Sequence, residues 1–149
     1  MSRKLLFVLA DGGRARFVER SPSNGHFVTF EEIDRTQALA QLRTELRASP
    51  PARTHESASP RRSAVGRDDY VRPAKRAFMA EVAQRAVALV RERELSGVFL
   101  AAPPQLIGPL RAGLDGSVPL AGAIRKDLTK ARDHELGAWL NAPYSTLQL

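Results

Sequence analysis

The chain of 149 residues contains no cysteine. Disulfides are therefore excluded, as is any metal site built on thiolates. A cysteine-free chain fits a reducing compartment, and the expected location is cytoplasmic. Histidine is scarce: His26, His55 and His134 lie far apart, and none has a second histidine at metal-ligand spacing. No metal and no cofactor is expected. No apolar run approaches the ~20 residues that a membrane span requires. The run 5–10 follows Arg3 and Lys4 like the start of a signal peptide. It is too short, and no small-x-small cleavage site follows, so it reads as a strand. Catalytic signatures are missing too: there is no G-x-S-x-G elbow, Walker loop or G-x-G-x-x-G. Nothing in the sequence assembles a nucleophile, a base and an oxyanion stabiliser, which favours a binding protein over an enzyme.

What the chain does have is positive charge. Lysine and arginine number 23 against 16 acidic residues, for a net charge of +7. Such a surface favours nucleic acid, ribosomes or anionic membrane surfaces as partners. The length and the 43% hydrophobic content suit one globular domain with a real core, expected over 1–141, with a C-terminal tail at 142–149.

Read in order, the apolar run 5–10 predicts a buried strand, and the alternating stretch 14–19 a half-exposed one. Asp11-Gly12-Gly13 between them is a hairpin signal, because both turn residues tolerate positive φ. The same turn, with Arg14, is a candidate phosphate-holding loop. Residues 27–33 predict a third strand, completing a β-meander. Leu39, Leu42 and Leu46 mark a short helix over 37–47. Residues 48–72 carry few large apolar side chains and three prolines, and predict a long mobile basic loop. Its Arg53, Arg61, Arg62, Arg67 and Arg72 are candidate phosphate contacts, against the alternative of a solvated linker. Asp68 and Asp69 within it read as solvated or helix-capping.

Pro73 predicts the start of the longest helix, over 73–95, with Phe78, Val82, Ala86, Leu89 and Val90 on its apolar face and Glu81 and Arg85 paired outside. Lys75 and Arg76 fall in the first turn of that helix, where its dipole disfavours cations, and join the candidate nucleic-acid contacts. Ser96-Gly97 closes it. The apolar run 98–102 predicts a central parallel strand, and Pro103-Pro104 a sharp turn into a helix over 104–113. In open α/β sheets ligands sit at the carboxyl ends of central strands, which makes Pro103, Pro104 and Gln105 candidate ligand contacts. A short edge strand is expected at 118–121, a surface ion pair at Lys126-Asp127, and a last helix capped by Asp133 that holds Leu136, Trp139 and Leu140. The fold class is α/β: one domain, a mixed sheet, helices on both faces.

Four stretches resemble the bacterial host-attachment protein family in order: Val8-Leu9-Ala10-Asp11-Gly12-Gly13-Arg14-Ala15-Arg16, Phe78-Met79-Ala80-Glu81-Val82-Ala83, Leu100-Ala101-Ala102-Pro103-Pro104-Gln105-Leu106-Ile107-Gly108-Pro109-Leu110-Arg111 and Lys126-Asp127-Leu128-Thr129-Lys130. That resemblance implies a relation to the middle domain of archaeal and eukaryotic peptide-chain release factors, and a ribonuclease-H-like fold without ribonuclease activity. The release factors carry a Gly-Gly-Gln motif between the meander and the long helix. This sequence has none, and offers only Val65-Gly66-Arg67 there. Three functions follow as expectations. The first is a non-enzymatic module that binds ribosome or tRNA. The second is an attachment or regulatory protein that binds another protein or an anionic surface. The third is a hydrolase of a tRNA ester using His55, Asp68 or Asp69.

Overall fold

The strand at the sequence's first apolar run is the centre of the sheet. The structure is a computed structural model and describes residues 4–48 and 60–141, with side chains described over 4–45 and 71–141. Strand β1, Leu5–Ala10, is buried along its whole length. Successive side chains of a strand point to opposite faces. Leu6, Val8 and Ala10 accordingly enter one core, and Leu5, Phe7 and Leu9 the other. Strand β2, Arg14–Arg20, pairs antiparallel with β1, and β3, Phe27–Asp34, antiparallel with β2. Strand β4, Gly97–Ala101, lies parallel to β1 on its other side, and β5, Leu120–Ile124, parallel to β4. The order is β3-β2-β1-β4-β5, so the expected meander and mixed sheet are both present. The last strand lies further along the chain than the sequence implied: Val118 and Pro119 precede it, since proline gives no ladder donor.

Strand β3 carries a bulge. Val18 faces Thr29 and Phe17 faces Glu31, leaving Phe30 as the extra residue. Phe30 and Glu31 engage the long helix and the turn that ends it: Arg93 in that turn stacks 3.7 Å above the Phe30 ring, and Arg85 donates to Glu31 at 2.5 and 2.9 Å. These hydrogen bonds, with burial opposing, hold the Glu31 carboxyl below its usual range and raise Arg85 further.

Helix α1, Thr36–Ala48, is opened by Asp34, whose Oδ1 accepts from the Thr36 N–H at 2.9 Å and its hydroxyl at 2.5 Å. Helix α2 spans Pro60–Glu92. Much of the expected basic loop is therefore helical; 49–59, including Arg53 and His55, fall outside the described residues. Proline suits the first turn of a helix, where its missing N–H goes unmissed, so Pro60 starts α2. Pro73, inside α2, gives up one helical hydrogen bond without ending the helix. Helix α3, Pro104–Leu114, begins as expected at the double proline, with Pro103 O accepting from the N–H groups of Leu106 and Ile107. The apolar faces of α2 and α3 cover one side of the sheet. Gly113 is where they meet: a Cβ there would stand 2.6 Å from Ala83 Cβ.

Helix α2 ends at Glu92, and the turn that closes it is at Glu94, not at the glycine. Glu94 takes a left-handed φ of 53°, and the Leu95 N–H reaches back to Val90 O at 2.9 Å. Its outward ion pairs also differ from the expected Glu81–Arg85 contact. Glu81 meets Arg35 at 2.5 Å, and Arg85 meets Glu31 and Glu92.

The chain's last third closes the second face. Leu128, Leu136 and Leu140 pack against Leu5, Phe7, Leu9, Val18, Phe27 and Phe99. Asp133 starts a 3-10 turn, Asp133–Glu135, but does not cap it, and a short helix over 137–141 follows. Trp139 is 42% exposed, with Lys126 Nζ 4.3 Å from its ring centre. Lys126 and Asp127 form no ion pair; Asp127 Oδ1 instead accepts from the Thr129 N–H and hydroxyl. Helices thus lie on both faces, as expected.

A candidate anion-binding groove at the strand ends

Two neighbouring parallel strands, β1 and β4, end on the same edge of the sheet. Their exits build the floor of a groove of about 1020 Å³. From β1 comes the turn Asp11–Gly12–Gly13–Arg14, and from β4 the Pro103–Gln105 entry to α3. Helix α1 contributes Thr36, Leu39 and Arg43, helix α2 contributes Arg72, Lys75 and Arg76, and Lys130 comes from the segment after β5. The two sets of residues singled out in the sequence, the candidate ligand turn and part of the basic set, therefore share one site. Pro104 sits beside it on α3 without lining it. Arg61, Arg62 and Arg67 belong to the first turns of α2, and their side chains, like those of Asp68 and Asp69, are outside the described ones.

The turn is not the one expected. Gly12 and Gly13 both have negative φ. Asp11 shapes the turn through its side chain: Oδ1 accepts from the Gly13 and Arg14 N–H groups at 2.8 Å each. Small size, not backbone freedom, is what Gly12 supplies. A Cβ there would stand 2.8 and 2.9 Å from Lys75 Cδ and Cγ, so the lysine stem lies directly across the turn. Lys75 and Arg76 also lie several turns into α2 rather than in its first, so their placement involves no conflict with the helix dipole.

The charges are lopsided. Among the described residues Asp11 is the one acidic side chain in the lining, and it is engaged. Its Oδ2 lies 3.0 Å from the buried Thr129 hydroxyl, which also contacts Asp127 at 2.5 Å. That hydroxyl carries one hydrogen and serves one carboxylate at a time. Arg14 pairs loosely with Asp34 at 3.5 Å. Hydrogen bonds from Thr36, its hydroxyl first, together with Arg14, hold the Asp34 carboxyl below its usual range. Among the described residues Arg43, Lys75, Arg76 and Lys130 have no carboxylate within ion-pair distance.

Residues 6–140 match a family described as "protein required for attachment to host cells". The chain belongs to that family. No curated protein matches it. The stretches that carried the host-attachment resemblance all fall within the matched span, and three of the four meet at one end of the sheet: the Asp11 turn, the Pro103–Gln105 entry and the Lys126–Lys130 segment. Among the described residues of this host-attachment chain no group of three or more His, Asp or Glu is placed to hold a metal ion, and no helix is long and apolar enough to cross a membrane.

Beside the groove, and sharing Arg14 and Lys130 with it, lies a second one of about 580 Å³. Sequence reasoning missed its centre. Arg16, read as a solvent-facing strand residue, is 7% exposed. It donates to the carbonyls of Leu128 at 3.1 Å, Thr129 at 3.3 Å and Ala131, to Thr29 Oγ1 at 3.0 Å and to Asp133 Oδ1 at 2.7 Å. Thr29 adds its N–H and hydroxyl to the same Asp133 carboxylate. Burial pushes the Asp133 carboxyl up, but the Thr29 and Arg16 hydrogen bonds outweigh it and the net direction is down. This cluster fastens the last third of the chain to the meander. Arg43 and Lys130 were missed as well, because a single exposed cation has no sequence signal of its own.

Proposed function

We propose that this protein serves attachment to host cells by binding an anionic partner in the basic groove, without chemical conversion of that partner. Membership of a family described by that role carries the reading. Four of the groove's cations have no carboxylate partner among the described residues, and they support it, since such charges attract and orient an acidic surface. The test is an attachment assay with cells that lack the protein, complemented by the unaltered chain or by K75E/R76E. The unaltered chain is expected to restore attachment and the variant to fail. Full restoration by the variant would remove the groove from the role, and undiminished attachment without the protein would remove the role itself.

A second reading, a translation-associated module that touches ribosome or tRNA and descends from the release-factor middle domain, draws on the net charge of +7. The groove gives it less support, because among the described residues no aromatic side chain lines it as a stacking platform for unpaired bases. Co-sedimentation with ribosomes at low salt checks this reading; no association there removes it.

A further inference from the structure

We infer that the groove at the ends of β1 and β4 is a site for a compact polyphosphate, a small molecule carrying three or more phosphoryl groups in a row. The inference rests on reading the groove as an anion site, and adds the ligand's size and chemistry. Size comes first. A volume of about 1020 Å³ is that of a small-molecule cleft, and α1 and α2 stand on either side of the turn that floors it. A cleft of that volume suits a short linear anion better than a nucleic-acid duplex.

Charge comes next. Arg43, Lys75, Arg76 and Lys130 come from three separate elements and face one space without carboxylate partners among the described residues. Bringing like charges together is unfavourable unless a counter-charge joins them. A single phosphate neutralises too little, whereas a row of phosphoryl groups presents several oxyanions at the spacing of neighbouring side chains. Arginine forks and a lysine point charge are the side chains that grip phosphoryl oxygens. The Asp11 Oδ1 is turned to two backbone N–H groups, and its single negative charge is outnumbered by the four cations.

Recognition should ignore a base. Among the described residues the apolar lining is Leu39, Leu106 and Pro103, with no ring to stack on. Tripolyphosphate, ATP and GTP should therefore bind alike, through the chain of phosphates they share. Gly12 is a positioning residue here. An added methyl would displace the Lys75 stem, and with it the lysine's charge, without touching the core.

The experiment is calorimetric titration of the full chain with tripolyphosphate, ATP, GTP and orthophosphate, and with heparin as a long polyanion. One tripolyphosphate per chain is expected, weakened by salt, with orthophosphate at least about tenfold weaker. K75E/R76E should lose about tenfold or more, while R111E/R125E, which makes the same change in net charge away from the groove, should hold within about twofold. G12A should fall between. Equal losses in the two double variants would overturn the inference, as would discrimination between ATP and GTP beyond about tenfold. Heparin binding without tripolyphosphate binding would sink the inference and leave the attachment reading standing. Binding of neither would take the anion site away from both. R43E, altered on α1 instead of α2, repeats the test should K75E/R76E fail to fold by circular dichroism.

Discussion

Replacing Arg16 with methionine should be among the most damaging single changes in this protein. Methionine keeps the length of the stem and fills most of its space, so the loss is of hydrogen bonds and charge, not of packing. Three backbone carbonyls, the Thr29 hydroxyl and the Asp133 carboxylate lose their donor together. Removing one partner of a buried ion pair costs about 3–5 kcal/mol. The Asp133 side chain is 42% exposed, so water can reach its carboxylate once the guanidinium has gone. That places the loss near the lower end, about 3 kcal/mol. For a domain whose total stability is about 5–15 kcal/mol this is a large fraction. It corresponds to about 6–12 °C in melting temperature at this chain length. Urea unfolding of R16M against the unaltered protein measures it directly, and hydrogen exchange should show the amides of 128–136 losing protection first. R16K, which keeps the charge but not the planar fork, should fall between the two. A loss in R16M below about 0.5 kcal/mol would refute the claim that this side chain fastens the C-terminal third.

Three further outcomes follow from single contacts. Gly113→Ala should cost about 1–3 kcal/mol by thermal unfolding, since its Cβ has nowhere to go beside Ala83, and adding Ala83→Gly should recover part of the loss; a G113A as stable as the parent would show that α2 and α3 are not in tight contact there. Glu94→Gly should raise stability by about 0.5–1 kcal/mol in the same assay, because Glu94 holds a left-handed φ that glycine adopts without strain; a loss would count against the helix stop described. Asp133 and Glu31 both have folded-state carboxyls shifted down, so the unfolded chain binds protons first as pH falls. Their contribution is then fully present above about pH 5 and drains away below it, through the ordinary carboxyl range and down to the depressed folded values. Urea midpoints across that range should show a shallower acid slope in D133N than in the parent, and an unchanged slope would exclude Asp133 as a source.

The fold was legible wherever burial is two-sided. The runs at 5–10 and 98–102 have no alternation because both faces of β1 and β4 are covered, and that continuity is what a central strand looks like in sequence. The start of α3 was legible because a proline pair can hold only one position relative to a helix. The beginning of α2 was not. Polar composition over 60–72 resembles a loop, yet Pro60 starts α2 and Pro73 sits inside it, so neither proline ends a helix there. The groove was half legible. Each strand exit was visible alone, but their meeting depends on β1 and β4 running side by side, 92 residues apart in register. Arg16 was invisible for the same reason, since all its partners but Thr29 lie 112 to 117 residues downstream. A lone arginine in an alternating strand looks like any solvent-facing one.

The docking of 128–140 over β1, β2 and β4 sets an order of events during synthesis. The meander and the α2 face can be complete while Phe7, Phe27 and Phe99 still lie bare on the other side, because the leucines that cover them are translated after all five strands. A nascent chain therefore passes through an interval with one greasy, strand-rich surface open to its neighbours, the kind of species that associates wrongly. Premature termination between β5 and Leu128 would make that interval permanent, so truncated products of this gene should accumulate in inclusion bodies or be degraded rather than persist as a smaller working protein.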